Sequence, residues 1–201
     1  MRYLLMLLLC LPALASALEF DEFTQSLPLG HALQVFEDTH GTATIDDVLA
    51  EAAAGHFKPH DKATLNAGYS RSAFWLKIDL HYRPGNPDAQ RTWLLELAYP
   101  PLDHLDLYLP DSAGAYRLVR QTGDALPFAS REIRQNNYLF SLDFKPEQRQ
   151  AVYLRLQSQG SIQAPLTLWS STAYLEQQPV RLYVLGTIYG VLLGMLVYNL
   201  F

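Results

Sequence analysis

Apolar and polar residues alternate along most of the chain between Leu65 and Trp169. In the segment AFWLKIDLHY, every second residue from Phe74 to Leu80 is apolar, and the positions between them hold a tryptophan, a lysine and an aspartate. A period of two is typical of a strand that buries one face. The pattern returns in segments separated by Gly, Pro, Asn and Asp: TWLLELAY, HLDLYL, AYRLVRQTG, NNYLFSLDF, AVYLRLQS and APLTLW. Seven or eight strands at this spacing predict an all-β fold, an antiparallel β-sandwich of the jelly-roll type.

A short helix is predicted ahead of these strands. The segment LQVFED, at residues 33–38, predicts a short strand, and the THG that follows predicts a turn. The helix lies in TIDDVLAEAAAGHF, where Thr44 can cap the first turn and Asp46 and Asp47 occupy its positive end. Gly55 suits the C-terminal stop.

The most hydrophobic stretch of the chain is LYVLGTIYGVLLGMLVYNLF, residues 182–201, which has no charged side chain. Twenty helical residues at about 1.5 Å each reach about 30 Å, the thickness of the hydrocarbon core of a bilayer. We therefore expect a transmembrane helix, with residues 179–201 as connector and start of the first span. The segment SSTAYLEQQPVR is expected to lead into the membrane, with Pro179 marking the joint. Because no polar tail follows, the sequence is expected to be the front portion of a longer membrane protein.

The other end of the chain predicts export. MRYLLMLLLCLPALASA has Arg2, an apolar core and a small-x-small cleavage signal at residues 15–17, so residues 1–17 are predicted to be a signal peptide. Its removal takes away Cys10, the one cysteine in the sequence, and leaves no disulfide or thiolate site. Residues 18–178 are expected to form one exported domain, with residues 18–180 in the periplasm and the protein in the inner membrane.

Charge and motifs exclude several classes of function. The net charge is −5 and the basic residues form no stripe, so nucleic acid is not an expected partner. The sequence has no H-E-x-x-H, no G-x-S-x-G and no Gly-rich phosphate loop. We therefore predict no catalytic residue in this segment. An anchored carbohydrate-active enzyme with a facing pair of carboxylates is the alternative.

Two kinds of binding residue are candidates. Tryptophans such as Trp75 and Trp93 could stack against the apolar faces of a sugar, although core packing is the favoured explanation of large aromatic residues in a sandwich. Carboxylates could supply the oxygen ligands that calcium needs: Glu37 and Asp38 end a predicted strand, and Asp79 lies on the polar face of another. Solvated charges or turn-capping aspartates are the alternative for each of them.

Several segments together resemble a known family. AFWLKIDL, WLLELAYPPLDHLDLYLPDSAG, GDALPFASREI and VYLRLQSQGSIQAPLTLW resemble the second type of extracellular domain in the 7TMR-DISM receptors, bacterial proteins with seven transmembrane helices. LGTIYGVLLGMLVYNLF is similar to the first of those helices. Within the family, the chain looks most like the LadS and RetS hybrid sensor histidine kinases, and nearer to LadS.

The resemblance implies a periplasmic jelly roll similar to carbohydrate-binding modules, which senses a small ligand such as calcium or a carbohydrate. Calcium is the only cofactor that it suggests, with Glu37, Asp38 and Asp79 as its ligands. For a carbohydrate, the residues implied are Trp75, Trp93 and Tyr99.

The resemblance also implies that the full-length protein is a sensor histidine kinase. Its expected partners are a second copy of itself or related sensors, together with the membrane. The alternatives are the front end of a diguanylate cyclase receptor and a membrane-tethered glycan-binding module with no signalling role.

Overall fold

The computed structural model describes residues 17–86, 88–89 and 91–200, with only the backbone for residues 178–182. The predicted signal peptide lies outside the described residues, apart from its last position. In the described part of the chain there are two α-helices, α1 (Ile45–Ala53) and α2 (Ser171–Leu200). The strands that accompany them are β1 (Leu18–Phe20), β2 (Ser26–Pro28), β3 (Leu33–Asp38), β4 (Lys58–Pro59), β5 (Leu65–Tyr69), β6 (Ala73–Tyr82), β7 (Thr92–Leu97), β8 (His104–Pro110), β9 (Tyr116–Thr122), β10 (Tyr138–Asp143), β11 (Arg149–Gln157), β12 (Ser161–Ala164) and β13 (Leu166–Ser170).

The strands form two large sheets and one small one. Sheet A has the order β4-β3-β6-β11-β8-β9, and β1 pairs in parallel with the end of β6. Sheet B has the order β10-β7-β13-β2, and β12 pairs with β5 in a separate two-stranded sheet. Successive strands of the chain pass repeatedly between sheets A and B. The jelly-roll β-sandwich predicted from the alternation is confirmed.

The main core lies between sheets A and B. On β6, the apolar residues Phe74, Leu76, Ile78 and Leu80 all belong to the buried cluster that fills this space. Trp93 and its neighbours on β7 meet them from sheet B. The alternation in the sequence therefore identified the inward faces, because successive strand residues point to opposite sides of a sheet.

Helix α1 covers part of the outer face of sheet A. The hydroxyl oxygen of Thr44 accepts a hydrogen bond from the backbone N–H of Asp47, whose carboxylate accepts in return from the N–H of Thr44, forming a capping box. Gly55 follows the helix with a φ of 77°, a conformation that glycine adopts easily. Beneath the helix, Val48 packs with Trp75 in a second buried cluster. The predicted helix and both of its ends are confirmed.

Two features differ from expectation. The five short strands β1, β2, β4, β5 and β12 were not predicted; β1, β2 and β4 have only two or three residues, too few to display a period. The expected connector is helical: α2 begins directly after β13 and continues without interruption past Pro179. An interior proline removes one backbone hydrogen bond and crowds the carbonyl four residues earlier, so Pro179 weakens α2 locally without ending it.

The last part of α2 matches the predicted transmembrane segment. Residues Tyr183–Leu200 have a mean hydropathy of 1.6, and by length and composition they are able to cross a membrane.

Candidate functional site

The three predicted calcium ligands do not lie together. Asp38 is 7% exposed, and its carboxylate accepts hydrogen bonds from the backbone N–H groups of His40, Gly41 and Ala43 at 2.8–3.2 Å. These bonds are those of an aspartate that caps the turn after a strand. Most of its acceptor capacity is therefore used by the protein itself.

Glu37 and Asp79 occupy other positions on sheet A. Glu37 points to the opposite face of β3 from Asp38, and its Oε1 accepts from the hydroxyl of Ser72 at 2.7 Å. Asp38 pairs with Ala73 on β6, and Asp79 lies six residues further along that strand, about 20 Å away at about 3.3 Å per residue. There Asp79 forms an ion pair with Lys77 at 2.9 Å. Within the described residues, no cluster of three or more potential ligands could hold a metal ion.

The aromatic candidates are separated in the same way. Trp75 is fully buried on the outer face of sheet A beneath α1, whereas Trp93 is fully buried in the core between the sheets. Tyr99 is partly buried against that same core. The three rings therefore form no common surface, and both indoles have packing roles in this structure.

A pocket lies instead at one end of sheet A, where four strands begin or end. It has a volume of about 660 Å³, within the range of small-molecule sites. We call it the end pocket, and it is lined by Arg71, Asp103, His104, Ala125, Gln157, Ser158 and Gln159. These residues come from the start of β6, the start of β8, the loop after β9 and the end of β11.

Close backbone packing shapes the end pocket. The loop after β9 lies against Asp103, where Asp124 N–H donates to the carbonyl of Leu102 at 2.7 Å and Ala125 N–H donates to the carbonyl of Asp103 at 3.2 Å. A Cβ on Gly123 would lie 1.8 Å from the carbonyl oxygen of Asp103, so only glycine allows this approach.

The lining of the end pocket offers both donors and acceptors. Asp103 Oδ2 accepts from the backbone N–H of Gln159 at 2.7 Å, which fixes the loop after β11. No carboxylate among the described residues lies within ion-pair distance of Arg71, and no hydrogen bond within this part of the chain engages the ring of His104. Tyr69 precedes Arg71 by two residues, pairs with Ser161 on β12 and is 86% exposed.

A buried ion pair lies next to the end pocket on the outer face of sheet A. Arg155 Nη1 is 3.6 Å from Asp106 Oδ2, and Arg155 Nη2 donates to Gln157 Oε1 at 2.8 Å. Asp106 is only 4% exposed, and its burial raises the pKa of the carboxyl above its ordinary value of 3.8, although Gln121 and Arg155 act to lower it. The pair holds Gln157 at the wall of the pocket.

The opposite face of the sandwich carries the joint to α2. Ser170 is the last residue of β13, and its Oγ accepts from the backbone N–H of Ala173 at 3.2 Å, so it caps α2 directly. Ala173 and Tyr174 pack on the outer face of sheet B against Trp169. The strand therefore passes into the helix with no intervening loop.

These features define the class of protein: a β-sandwich domain joined directly to a helix that is able to span a membrane. The family described as 7TMR-DISM extracellular 2 matches residues 30–170, more than half of the chain, and the chain belongs to this family. It is a sensing domain, exposed outside the membrane, of a membrane receptor. Comparison with curated proteins gives no significant match.

The end pocket was not predicted from the sequence. Its lining comes from segments spread between Arg71 and Gln159, and no single segment contains a recognisable binding motif. The one local signal is Gly123 after a strand, since glycine at that position often marks a close approach of backbones.

Proposed function

We propose that this domain is the ligand-binding input domain of a hybrid sensor histidine kinase, nearer to LadS than to RetS, and that its ligand is a carbohydrate bound in the end pocket. The observation that carries the proposal is the direct passage of β13 into α2 at Ser170. A ligand that favours one arrangement of the sandwich acts on the membrane helix without an intervening flexible linker. Such a ligand shifts the receptor only by its differential affinity for the two states.

The chemistry of the end pocket supports a hydroxyl-rich ligand. The guanidinium of Arg71, the imidazole of His104 and the amide of Gln159 can bond to several hydroxyl groups at once. Tyr69, two residues before Arg71 in the chain, has an exposed aromatic ring of the kind that buries the apolar side of a sugar ring. In this proposal the receptor lies in the inner membrane with residues 18–180 in the periplasm, and acts as a homodimer or together with related sensors.

Thermal unfolding of residues 18–177 with a panel of glycans tests the ligand. This segment contains all the buried apolar clusters of the described structure. A ligand that binds only the folded state stabilises it by about 2.7 kcal/mol at a hundredfold excess over Kd, enough to raise Tm by several degrees. We expect Arg71→Ala to abolish the glycan shift and the control Arg149→Ala, an exposed arginine outside the pocket, to retain it. A shift that survives Arg71→Ala contradicts the assignment to this pocket.

Calcium is tested in the same titration after treatment with EDTA. A calcium-selective rise in Tm that is lost in Asp38→Ala or Asp79→Ala would assign the ion to the carboxylates singled out in the sequence. Such a result without any glycan shift would replace the carbohydrate proposal by a cation sensor.

The output is tested with the full-length receptor in membrane vesicles. Histidine autophosphorylation that changes with the glycan supports the kinase, and synthesis of a cyclic dinucleotide supports the cyclase alternative. Glycan binding with no change in either activity would support a membrane-tethered binding module instead.

A further inference from the structure

A buried carboxylate lies on the outer face of sheet B, where strand residues usually meet solvent. Glu96 on β7 is only 2% exposed. Its Oε2 accepts a hydrogen bond from Nε1 of Trp169 at 2.8 Å, and its Oε1 accepts from Nδ2 of Asn137 at 2.7 Å. A carboxylate is stable in such a place only when strong hydrogen bonds replace its water.

One of these bonds leads to the membrane helix. The indole of Trp169 meets the ring of Tyr174 in an edge-on contact with centroids 6.3 Å apart and planes at 69°. Both rings belong to the buried cluster that includes Ala173 of α2 and Leu139 of β10. Glu96 therefore fixes the orientation of the side chain on which the first turn of α2 rests.

The other bond leads back to the end pocket. Asn137 ends the β9–β10 loop, residues 123–137, and the same loop contributes Ala125 to the pocket lining. Within the loop, the guanidinium of Arg131 donates to the carbonyls of Gln135 and Asn136, and it lies 4.3 Å from the ring centroid of Tyr138.

Tyr138 connects this packing to the pocket wall. Its hydroxyl oxygen lies 2.7 Å from the carbonyl oxygen of Pro100 and 3.0 Å from that of Leu102, within hydrogen-bond distance of both. The carbonyl of Leu102 also accepts from the N–H of Asp124 at the start of the loop. Leu102 directly precedes Asp103, which lines the end pocket. The contacts of Tyr138, Arg131 and Asn137 therefore connect the wall of the end pocket to Glu96.

We infer that Glu96 is a positioning residue for signal transmission, which links the β9–β10 loop to the first turn of α2. The inference rests on the proposed function, because it takes the end pocket as the ligand site. A shift of the loop at the pocket moves Asn137, and the carboxylate passes this movement to Trp169 and to the membrane helix. Since coupling between two sites is reciprocal, loosening α2 must also loosen the loop.

The chemistry of the link requires a carboxylate. Both partners present N–H donors, one to each oxygen of Glu96, and a carboxylate has an acceptor at both of these positions. Glu96→Gln keeps the size of the side chain but turns an NH₂ group towards one of the two donors, so it breaks half of the link. Glu132→Gln is the matched control, because Glu132 lies in the same loop and bonds to Arg120 on β9 and to the N–H of Ser141 on β10, neither of which belongs to α2.

The first measurement is the mobility of a nitroxide spin label on α2, in the full chain reconstituted in lipid nanodiscs. Cys10 is the single cysteine of the sequence, so a Cys10→Ser background with Leu175→Cys, at a side chain that is 67% exposed, gives one labelling site. We expect Glu96→Gln to shorten the rotational correlation time of the label by about twofold or more, as release of an ordered segment predicts. Glu132→Gln is expected to leave it unchanged. An unchanged label in Glu96→Gln, or equal release in the control, overturns the inference.

The second measurement tests the reciprocal effect with the label at exposed Ala125, introduced as Ala125→Cys. Tyr174→Ala should mobilise this label, and the effect should vanish when Asn137→Ala has already cut the loop side of the link. Additive effects of the two substitutions would refute coupling through Glu96. If circular dichroism shows that Glu96→Gln does not fold, Asn137→Ala replaces it in the first measurement. Because neither measurement uses a ligand or the kinase, a negative result in either one can be distinguished from a failure of the domain to bind a glycan.

Discussion

Replacing each of the three tryptophans by phenylalanine should change the free energy of unfolding to different extents, because their indole N–H groups are bonded differently. In the described structure, Nε1 of Trp75 and Nε1 of Trp93 are buried without an acceptor, whereas Nε1 of Trp169 donates to the buried carboxylate of Glu96. Replacement by phenylalanine removes the N–H and a similar part of the ring in each case. The loss of packing is therefore largely common to the three variants, and the difference between them reports on the N–H group.

The size of this difference in the free energy of unfolding follows from the two environments of the indole N–H group. Removing a buried N–H that has no acceptor relieves a desolvation penalty of about 1–3 kcal/mol, which offsets part of the packing loss in Trp93→Phe. Removing the donor from a charged acceptor costs about 1.5–3 kcal/mol in Trp169→Phe. We therefore expect Trp169→Phe to lower the free energy of unfolding by at least about 2.5 kcal/mol more than Trp93→Phe does.

The assay is equilibrium unfolding of residues 18–177 in urea, followed by far-ultraviolet circular dichroism so that the signal does not depend on the tryptophans. Trp75→Phe is the internal control, because its N–H is also unpaired and it should behave like Trp93→Phe. The denaturant slopes must agree for the free energies to be compared. Equal destabilisation by all three substitutions, or greater destabilisation by Trp93→Phe, would refute the hydrogen-bond argument.

Three further predictions concern stability. Because burial raises the pKa of Asp106, the folded protein holds its proton more tightly than the unfolded chain, and the stability that this gives is lost as pH rises from about 4 through the raised value. Asp106→Asn should therefore gain Tm relative to the parent as the pH rises from about 4 through that raised pKa, and a difference that does not change with pH would contradict the assignment. Thr44→Ala removes half of the capping box with Asp47 and should cost about 1 kcal/mol in urea unfolding; no loss would show that the cap is not formed. Gly123→Ala forces its new Cβ against the carbonyl of Asp103, so it should lower Tm and abolish the glycan shift together, and retention of both would show that the loop can move away.

The ligand residues expected from the sequence illustrate what alternation can and cannot indicate. It placed Trp75 correctly on the opposite face of β6 from the aliphatic residues. An outer face can still be buried, however, and α1 covers this one. Trp93 and Trp75 belong to different buried clusters, which depends on how the strands are arranged rather than on either segment. The carboxylate set failed to assemble for a related reason, since the register of β3 against β6 sets Asp38 and Asp79 far apart.

The sequence by itself determined the local features of this protein. A period of two defined the inward faces of the long strands, Thr44 and Gly55 bounded α1, and the uncharged stretch from Leu182 defined the membrane-spanning part of α2. Each of these depends on interactions within a few residues or on the simple preference of apolar side chains for burial.

Only the tertiary structure decided where the polar groups meet. The end pocket requires that four strands begin or end at the same end of sheet A. Glu96 accepts its two hydrogen bonds from residues that are 41 and 73 positions away in the chain. Burial of apolar side chains is non-directional and leaves a trace in the sequence pattern, whereas a hydrogen bond requires two particular atoms within about 3 Å. Strand order and register set those distances, and the local sequence does not encode them.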